Sequence, residues 1–230
     1  MKKNNIYFCG DIHGELRKLV WSLVERYKLK NISVVVCGDF GVGFGKPNSM
    51  NVLYSSVSDR LEKNNITIYT IRGNHDDPSW FDGKHDYTRL KFIVDNNPID
   101  IEGWNIYPIG GATSIDRDYR LDLERTIDTK VFWEGEIITK VDKYPGKADI
   151  IVSHTAPISF EPVVLREGNV SEEIYNQIVD ERTYLDNIIG NMRISYWFYG
   201  HFHNNYSGNI GDMIYHGLGI DELFELRPHE

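Results

Sequence analysis

The sequence predicts an α/β fold, and two observations support this class. Short runs of β-branched and aromatic residues recur along the chain, and stretches with helical periodicity separate the first three of them. Continuous apolar runs are typical of strands that are covered on both faces. A chain of 230 residues, 41% of them hydrophobic, can form one well-packed core, so we expect a single domain over residues 1–230.

The first three predicted strands begin at Ile6, Ile32 and Ile66. A helix is predicted over residues 15–27, and a second begins at the cap Ser49 and ends at Asn64-Asn65. The order β-α-β-α-β favours parallel pairing of the three strands. The residues expected to face the core are Leu16, Leu19, Val20, Leu23, Val24 and Tyr27 in the first helix and Val52, Leu53, Val57 and Leu61 in the second.

The second half of the chain is richer in strands. Residues 99–101 and 105–109 flank a turn at Gly103-Trp104, and the glycine-rich tail beyond Asn205 predicts short hairpins. A last helix runs from Ser171 to about residue 189, with acidic residues in its first turn as the helix dipole favours. The remaining expected elements are strands at 150–153 and 194–200, and inward positions Ile174, Ile178, Leu185 and Ile188 in the last helix.

Composition limits the classes of partner. Thirty-four acidic against 25 basic residues give a net charge of −9, which disfavours nucleic acid as an obligate partner. The apolar stretch at residues 6–9 is too short for a signal peptide or a membrane span, so we expect a cytoplasmic protein without membrane association. Cys9 and Cys37 are the only thiols, and we expect both to be buried and unbridged.

Five polar motifs follow the apolar runs, where an open α/β sheet presents its ligand groups. Asp11 and His13 are two residues apart in an extended segment, so their side chains can reach a common point, and His201 and His203 repeat that spacing. The motifs contain five of the eight histidines. In order they are Gly10-Asp11-Ile12-His13-Gly14, Gly38-Asp39-Phe40-Gly41, Gly73-Asn74-His75-Asp76, Ser153-His154 and Gly200-His201-Phe202-His203.

Carboxylate, amide and imidazole donors without thiolate favour Mn, Fe, Zn, Co or Ni over Ca, or over Mg alone. One ion needs about four to six donors, so a larger set indicates two ions that share a bridging carboxylate. Two divalent cations and two aspartates leave a net positive charge that attracts phosphate. The alternative is that each residue is an ordinary strand-end polar group, which five motifs in order argue against. The seven donors are Asp11, His13, Asp39, Asn74, His154, His201 and His203.

These motifs resemble those of the calcineurin-like metallophosphoesterases: D-x-H, G-D, G-N-H-D/E, a lone His, and G-H-x-H. The resemblance implies a four-layer α/β/β/α sandwich with two central mixed sheets. It also implies two divalent ions, with manganese as our first expectation, and Asp39 as the ligand that bridges them. By position, Asp11, His13, Asp39 and His203 would hold one ion, and Asp39, Asn74, His154 and His201 the other.

The same resemblance makes His75 the catalytic imidazole. It implies attack on phosphorus by a hydroxide that bridges the metals, with His75 protonating the departing alkoxide. The alternative is that His75 only forms hydrogen bonds outside the ligand shell. Asp76 is expected either to orient His75 as part of the catalytic apparatus or to make a structural turn contact with Asp77-Pro78.

The second motif departs from that of the phosphoprotein phosphatases, G-D-x-V-D-R-G. The chain has Gly38-Asp39-Phe40-Gly41-Val42-Gly43 there, without the second Asp and the Arg, so that activity is not expected. Residues 110–120 resemble the G-G-A-x-S-I-D segment of small bacterial and phage members, and Arg117 or Arg120 could clamp phosphate there. The alternative is that both arginines pair with nearby acids, namely Asp116, Asp118, Asp122 or Glu124.

Substrate identity stays open at this level. Candidate substrate contacts are Asn74, Arg117 and Arg120. Aromatic residues at 80–81, 119 and 132–133 either line a nucleobase-sized pocket or serve as packing anchors. A phosphodiesterase acting on nucleotides or other small diesters is favoured over a phosphomonoesterase. A nuclease and a non-catalytic scaffold of the same fold are further alternatives, and the oligomeric state is not predicted.

Overall fold

The computed structural model describes residues 3–43, 48–127, 130–160 and 170–228. Twelve strands and five α-helices lie in these ranges. The strands are β1 (Ile6–Cys9), β2 (Ile32–Val36), β3 (Ile66–Thr70), β4 (Asp86–Tyr87), β5 (Leu90–Phe92), β6 (Ile99–Ile101), β7 (Trp104–Ile109), β8 (Ile150–Ser153), β9 (Tyr196–Tyr199), β10 (Tyr206–Ile210), β11 (Met213–Gly217) and β12 (Leu223–Leu226). The helices are α1 (Leu16–Trp21), α2 (Ser49–Ser55), α3 (Ser58–Lys63), α4 (Arg117–Glu124) and α5 (Glu172–Asn191).

The strands form two mixed six-stranded sheets that have the same pattern of parallel and antiparallel pairing. The first has the order β12-β1-β2-β3-β5-β4 and the second the order β10-β11-β9-β8-β7-β6. In each sheet the four central strands are parallel and both edge strands are antiparallel. The α/β fold class and the two mixed sheets expected from the sequence are confirmed.

Alternate residues of the central strands enter different cores, because side chains along a strand point to opposite faces. In β1, Ile6 and Phe8 join the core between the two sheets, whereas Tyr7 and Cys9 join the core that also contains Leu16 of α1. The same alternation occurs in β9: Tyr196 and Phe198 join the core between the sheets, whereas Trp197 and Tyr199 join a third core that also contains residues of α5. Three hydrophobic cores therefore separate four layers, as the four-layer sandwich requires.

The strand predictions are confirmed within about two residues at each end. Parallel pairing of β1, β2 and β3 is also confirmed. The tail beyond residue 205 contains the expected hairpin, β10 with β11, but β12 crosses to the first sheet and pairs with β1. Strands β4 and β5 and helix α4 were not predicted.

Helix α5 begins as predicted, because the Ser171 side chain accepts a hydrogen bond from the Ile174 N–H, and its four predicted inward residues are buried. The helix predicted over residues 15–27 is helical from Leu16 to Arg26, and its predicted inward residues other than Tyr27 belong to the core or pack against it. A π-helical turn over Ser22–Arg26 adds a residue to the turn, and Tyr27 is 46% exposed rather than inward.

The second predicted helix is two helices, α2 and α3. Ser56 lies between them, and its hydroxyl donates to the Leu53 carbonyl, a contact that competes with helical hydrogen bonds. In α2, Met50 and Tyr54 are buried and the predicted inward residue Leu53 packs against the same core, while Val52 is exposed. The cap is Asn48 rather than Ser49, whereas the inward positions predicted in the second half of this segment, Val57 and Leu61, are confirmed.

Cys9 and Cys37 are both buried and free, as expected. They belong to cores on opposite faces of the first sheet, so their sulfur atoms cannot meet. Burial raises the pKa of both thiols, which makes them unreactive. Among the described residues, none of the helices has the length and apolar character that crossing a membrane would require.

Candidate metal centre and active site

The five motifs meet at one end of the sandwich. Each follows the carboxyl end of a parallel strand: β1, β2 and β3 in the first sheet, and β8 and β9 in the second. Because parallel strands end on the same edge, the loops after them converge there. All seven predicted ligands are connected to one another by contacts of 3.9 Å or less, described below in two groups.

The first group contains Asp11, His13 and His203. The Nε2 atom of His203 lies 3.1 Å from Asp11 Oδ2 and 3.1 Å from His13 Nε2. One ligand atom from each of the three residues lies within 4.8 Å of the others, close enough to surround one cation. Asp11 is fully buried and accepts the backbone N–H of His201 at 3.1 Å on each oxygen, which holds its carboxylate in place.

The second group contains Asp39, Asn74, His154 and His201. Asn74 Oδ1 lies 2.7 Å from His154 Nε2 and 3.1 Å from His201 Nδ1, and Asp39 Oδ1 lies 3.3 Å from His154 Nε2. Asp39 Oδ2 is also 3.9 Å from His13 Nδ1, so this carboxylate faces both groups. That position is the one a bridging ligand would need.

The tautomer of His154 supports a cation at this place. Its Nδ1–H donates to the Cys37 carbonyl at 2.8 Å, so Nε2 faces the oxygens of Asp39 and Asn74. A neutral ring would direct a lone pair at these oxygens, which is unfavourable without a positive charge between them. Burial lowers the pKa of His154, but Asp39 outweighs it and raises the pKa to about 9. In the protonated ring the second proton is on Nε2, where a metal ion would also place positive charge between the ring and these oxygens.

Burial also lowers the pKa of His201, and nearby carboxylates do not outweigh it, so this pKa falls to about 3. The ring is therefore neutral at physiological pH, as metal ligation requires. His154 in turn lowers the pKa of Asp39 against the effect of burial. The donor set and its charges fit divalent cations.

The backbone at the site is unusual. His13, Asp39, His201 and His203 all have φ between +43° and +66°, the left-handed region that costs a non-glycine residue about 1–3 kcal/mol. The motif glycines allow close packing around these residues. A Cβ atom on Gly73 would overlap Asp39 Oδ1, and one on Gly200 would overlap Asp11 Oδ1. The glycines of these motifs therefore keep space for ligand carboxylates.

His75 lies beside the ligands. Its backbone N–H donates to Asp39 Oδ1 at 2.9 Å, and its ring centroid is 6.0 Å from that of His13. The side chain is partly buried and lines two cavities, described below. Burial lowers the pKa of His75, while Asp39 and Asp116 act to raise it and Arg120 to lower it.

The hydrogen bonds of the Asp76 carboxylate are made with backbone groups, which favours its structural alternative over the role of orienting His75. This fully buried carboxylate accepts four backbone N–H groups at 2.7–3.1 Å, from Phe40, Gly41, Val42 and Gly73. These contacts are structural, as the second alternative expected, but most of them are made with the loop after β2 and none with the turn at Asp77-Pro78. Asp76 therefore joins two of the ligand-bearing loops to each other.

The guanidinium groups of Arg117 and Arg120 bind acidic side chains in the structure, which favours the pairing alternative over the phosphate clamp. Arg117 Nε and Arg120 Nη2 bind the two oxygens of Glu136 at 2.6 and 2.7 Å, and Arg120 Nε binds Asp116 at 3.0 Å. Neither guanidinium lines the two cavities. The alternative of pairing with acids is correct for Asp116, but the main partner, Glu136, was missed because it lies in an irregular segment without periodicity.

Two cavities flank His75. The α2-side cavity has a volume of about 480 Å³ and an apolar wall made by Met50 and Leu53. The α5-side cavity has a volume of about 470 Å³ and combines apolar residues with acidic ones. Residues of the α5-side cavity that come from outside the five motifs are Thr113, Ser114, Ile115, Asp116, Thr155, Ile178 and Glu181.

The predicted aromatic pocket is not formed by the residues named for it. Trp80 and Phe81 pack edge-on against Phe92, with ring centroids 5.4 and 5.6 Å apart, and residues 132–133 are buried. Tyr119 is 67% exposed. None of these residues lines either cavity, so the packing alternative describes all but Tyr119.

A four-layer α/β sandwich with acidic, amide and imidazole side chains at its strand ends is the architecture of a metal-dependent hydrolase. Comparison with protein families identifies the family of hydrolases to which the chain belongs. Residues 5–205 match the family model described as calcineurin-like phosphoesterase, so the chain belongs to that family and is a metal-dependent phosphoesterase. The resemblance inferred from the motifs is thereby confirmed.

The chain is also similar to solved structures, and the first of the two described here supports the fold. The chain is similar to TT1561 of Thermus thermophilus, with 13% identity, a TM-score of 0.51, and coverage of 98% of this chain and 99% of that one. It is also similar to a phosphopantetheinyl hydrolase from Mycobacterium tuberculosis, with 12% identity, a TM-score of 0.47, and coverage of 95% and 90%. A comparison with curated protein sequences finds no significant match.

Proposed function

We propose that the chain is a phosphodiesterase that uses two divalent metal ions to hydrolyse small diesters. The proposed ligands are Asp11, His13, Asp39 and His203 for one ion, and Asp39, Asn74, His154 and His201 for the other. When bound, the two ions would offset the negative charge of the phosphate and supply an activated water molecule as the nucleophile. Manganese is the first metal to test, since nitrogen and oxygen ligands also accept iron, zinc, cobalt or nickel.

The observation that carries the diester proposal is the pair of cavities on either side of His75. A diester has two substituents on phosphorus. The α5-side cavity is also lined by the proposed ligands Asp39, Asn74, His201 and His203, so the phosphate and one substituent would lie there and the other substituent in the α2-side cavity. A monoester has one substituent and would leave the second cavity without a role. The α2-side cavity suits an apolar group, whereas Asp116 and Glu181 make the α5-side cavity suited to a neutral or positively charged one.

His75 is the proposed proton donor to the leaving alkoxide. It lines both cavities, so it can serve a leaving group in either of them. Because burial lowers its pKa, the imidazole needs negative charge nearby to hold a proton at neutral pH. Asp39 supplies most of this charge in the free protein, because Arg120 lowers the pKa of His75 by more than Asp116 raises it, and the anionic substrate would add further negative charge.

A phosphomonoesterase is the second candidate, since the same metal centre can hydrolyse either kind of ester. A nuclease has less support, because the net charge of −9 repels a polyanion. A scaffold without activity would not need His75 and all seven donors. Substrates that are nucleotides, and a cytoplasmic location, remain predictions from the sequence.

The test is a panel of monoesters, linear diesters and cyclic nucleotides, assayed with Mn, Ni, Co, Zn and Mg after exhaustive dialysis against EDTA. We expect no turnover without metal, recovery on adding Mn, and a higher kcat/KM for a linear diester than for the matched monoester. A preference for the monoester across all metals would favour the second candidate. Full turnover by protein shown to be free of metal would refute the metal-dependent mechanism.

A further inference from the structure

Asn74 is the proposed ligand whose orientation matters most, because its two terminal atoms differ. The amide oxygen can bind a cation, and the NH₂ group cannot. In the structure Nδ2 donates to Ser114 Oγ at 2.6 Å, while Oδ1 faces His154 and His201. Asn74 and Ser114 are both 1% exposed, so water does not compete for these contacts.

The direction of the Ser114 hydroxyl decides which end of the amide it can accept. Ser114 Oγ lies 2.8 Å from Glu136 Oε2, and Glu136 is also 1% exposed. The other partners of this carboxylate are all donors: the Ser114 backbone N–H at 3.2 Å, Arg117 Nε at 2.6 Å and Arg120 Nη2 at 2.7 Å. Glu136 is therefore an acceptor, and the Ser114 hydrogen points to it.

With its hydrogen given to Glu136, the Ser114 oxygen offers only lone pairs to Asn74. The NH₂ group satisfies them, whereas the amide oxygen would be repelled. A flipped Asn74 would also direct its NH₂ hydrogens at the position of the cation. A single chain of hydrogen bonds, from Glu136 through Ser114 to Asn74, thus excludes the orientation that cannot bind metal.

We propose that Ser114 and Glu136 are positioning residues that hold the Asn74 amide with its oxygen toward the second metal position. Arg117 and Arg120 each bind one oxygen of Glu136 and hold it in the orientation that this requires. The inference rests on the proposed role of Asn74 as a metal ligand. It predicts that metal affinity at one of the two positions depends on a hydroxyl group that touches no metal.

The first experiment measures metal binding by Ser114→Ala, using isothermal titration calorimetry and elemental analysis with Mn. Loss of partners outside the ligand shell weakens metal binding by about 10- to 100-fold. We expect a loss of this size for one ion and little change for the other. The electron paramagnetic resonance signal of the coupled Mn pair should give way to that of a single ion at limiting Mn.

Ser33→Ala is the matched control. Ser33 is another buried serine whose hydroxyl donates to a carboxylate, Glu102 Oε1 at 2.8 Å, but it lies in β2 and lines neither cavity. We expect this substitution to lower the melting temperature while two Mn ions still bind with unchanged affinity. Equal weakening of Mn binding by Ser33→Ala and Ser114→Ala would show a general loss of stability and overturn the proposal.

Asn74→Asp provides a sharper test, because a carboxylate has two oxygens and no wrong orientation. Ser114→Ala should weaken Mn binding when residue 74 is asparagine but not in the Asn74→Asp background, where the Ser114 oxygen repels the second carboxylate oxygen and its removal should leave Mn binding unchanged or stronger. Equal weakening in both backgrounds would mean that Ser114 acts through packing alone, which overturns the inference. A wild-type protein that binds no second ion would instead refute the ligand assignment, so the two failures are distinguishable.

Discussion

The backbone N–H of His75 donates to Oδ1 of Asp39 at 2.9 Å. The proposed proton donor is therefore attached to the proposed bridging carboxylate through its main chain, and its imidazole is left to act on substrate. Since Asp39 faces both groups of ligands, this contact places the imidazole next to the metal centre without making it a ligand. Because the backbone binds Asp39 and the imidazole acts on substrate, a substitution of the His75 side chain can remove the second role and keep the first.

His75→Ala should leave metal content unchanged, because the backbone N–H remains. Turnover of an alkyl ester should fall by about 10²- to 10⁴-fold, the usual contribution of a positioned acid. A nitrophenyl ester should lose much less, since nitrophenolate leaves without a proton. The measurement is kcat for both esters alongside elemental analysis of the variant. Equal losses on the two esters would remove the proton-donor role.

Asp76→Asn should reduce stability rather than alter the chemistry. The carboxylate accepts four backbone N–H groups in the buried space between two loops, and an amide cannot accept all of them. We expect the free energy of unfolding of the metal-free protein to fall by about 2 kcal/mol or more. Denaturant titration measures this.

The ratio of rates on alkyl and nitrophenyl esters serves as the control for Asp76→Asn. It should match that of the wild type if Asp76 is structural. A variant with normal stability and the same selective loss as His75→Ala would restore Asp76 to the role of orienting the imidazole.

The metal-free protein should lose stability as the pH rises from about 6.5 to about 9. His154 has its ordinary pKa of 6.5 when unfolded, and Asp39 raises that pKa to about 9 in the folded state against the effect of burial. The folded state thus binds more protons in this window, so the stabilisation present below pH 6.5 is lost as the pH rises through about 9. Denaturant unfolding at several pH values after EDTA dialysis measures the slope.

Zinc-loaded protein is the comparison for this pH effect, because the ion replaces the proton on His154. Its stability should lack the same fall, and zinc binding at a pH of about 7.5 should release protons into the buffer. His154→Asn should remove the largest part of the slope in the metal-free protein. A slope that is unchanged in His154→Asn would assign the effect to other groups.

The sequence predicted the ligand-bearing part of the fold because that information is local. Each motif follows a strand whose apolar residues are visible as a run, and parallel strands bring their ends to one edge. Asp11 and His154 could therefore be placed at the same edge from patterns far apart in the chain. The short strands β4 and β5 lack such a run, and β12 depends on pairing with β1, which lies near the opposite end of the sequence.

The contacts around the ligands were less predictable, because they are made by irregular segments. Glu136 lies in a stretch without periodicity, and its burial depends on Arg117, Arg120 and Ser114 folding around it. An arginine beside a glycine-rich turn has the same appearance in a sequence whether it binds phosphate or a buried carboxylate. Only the tertiary contacts show that Glu136 is a partner of both arginines in this structure.

The two cavities give the most direct test of the diester proposal. Leu53→Trp would fill the α2-side cavity and Ile115→Trp the α5-side cavity. A diester with two bulky groups needs both spaces, so each substitution should lower kcat/KM by about tenfold or more, the cost of roughly 1.4 kcal/mol of lost transition-state binding. A small monoester needs one space, and one of the two substitutions should leave its kcat/KM nearly unchanged.

Val52→Trp is the matched control, because Val52 precedes Leu53 on α2, is 60% exposed and lines neither cavity. It should leave both esters unaffected, and melting temperatures should show that all three variants are folded. If only one of the two cavity variants impairs the diester, the other cavity does not hold a substituent. The geometry would then fit a monoesterase, since the only remaining need is for one leaving group beside His75.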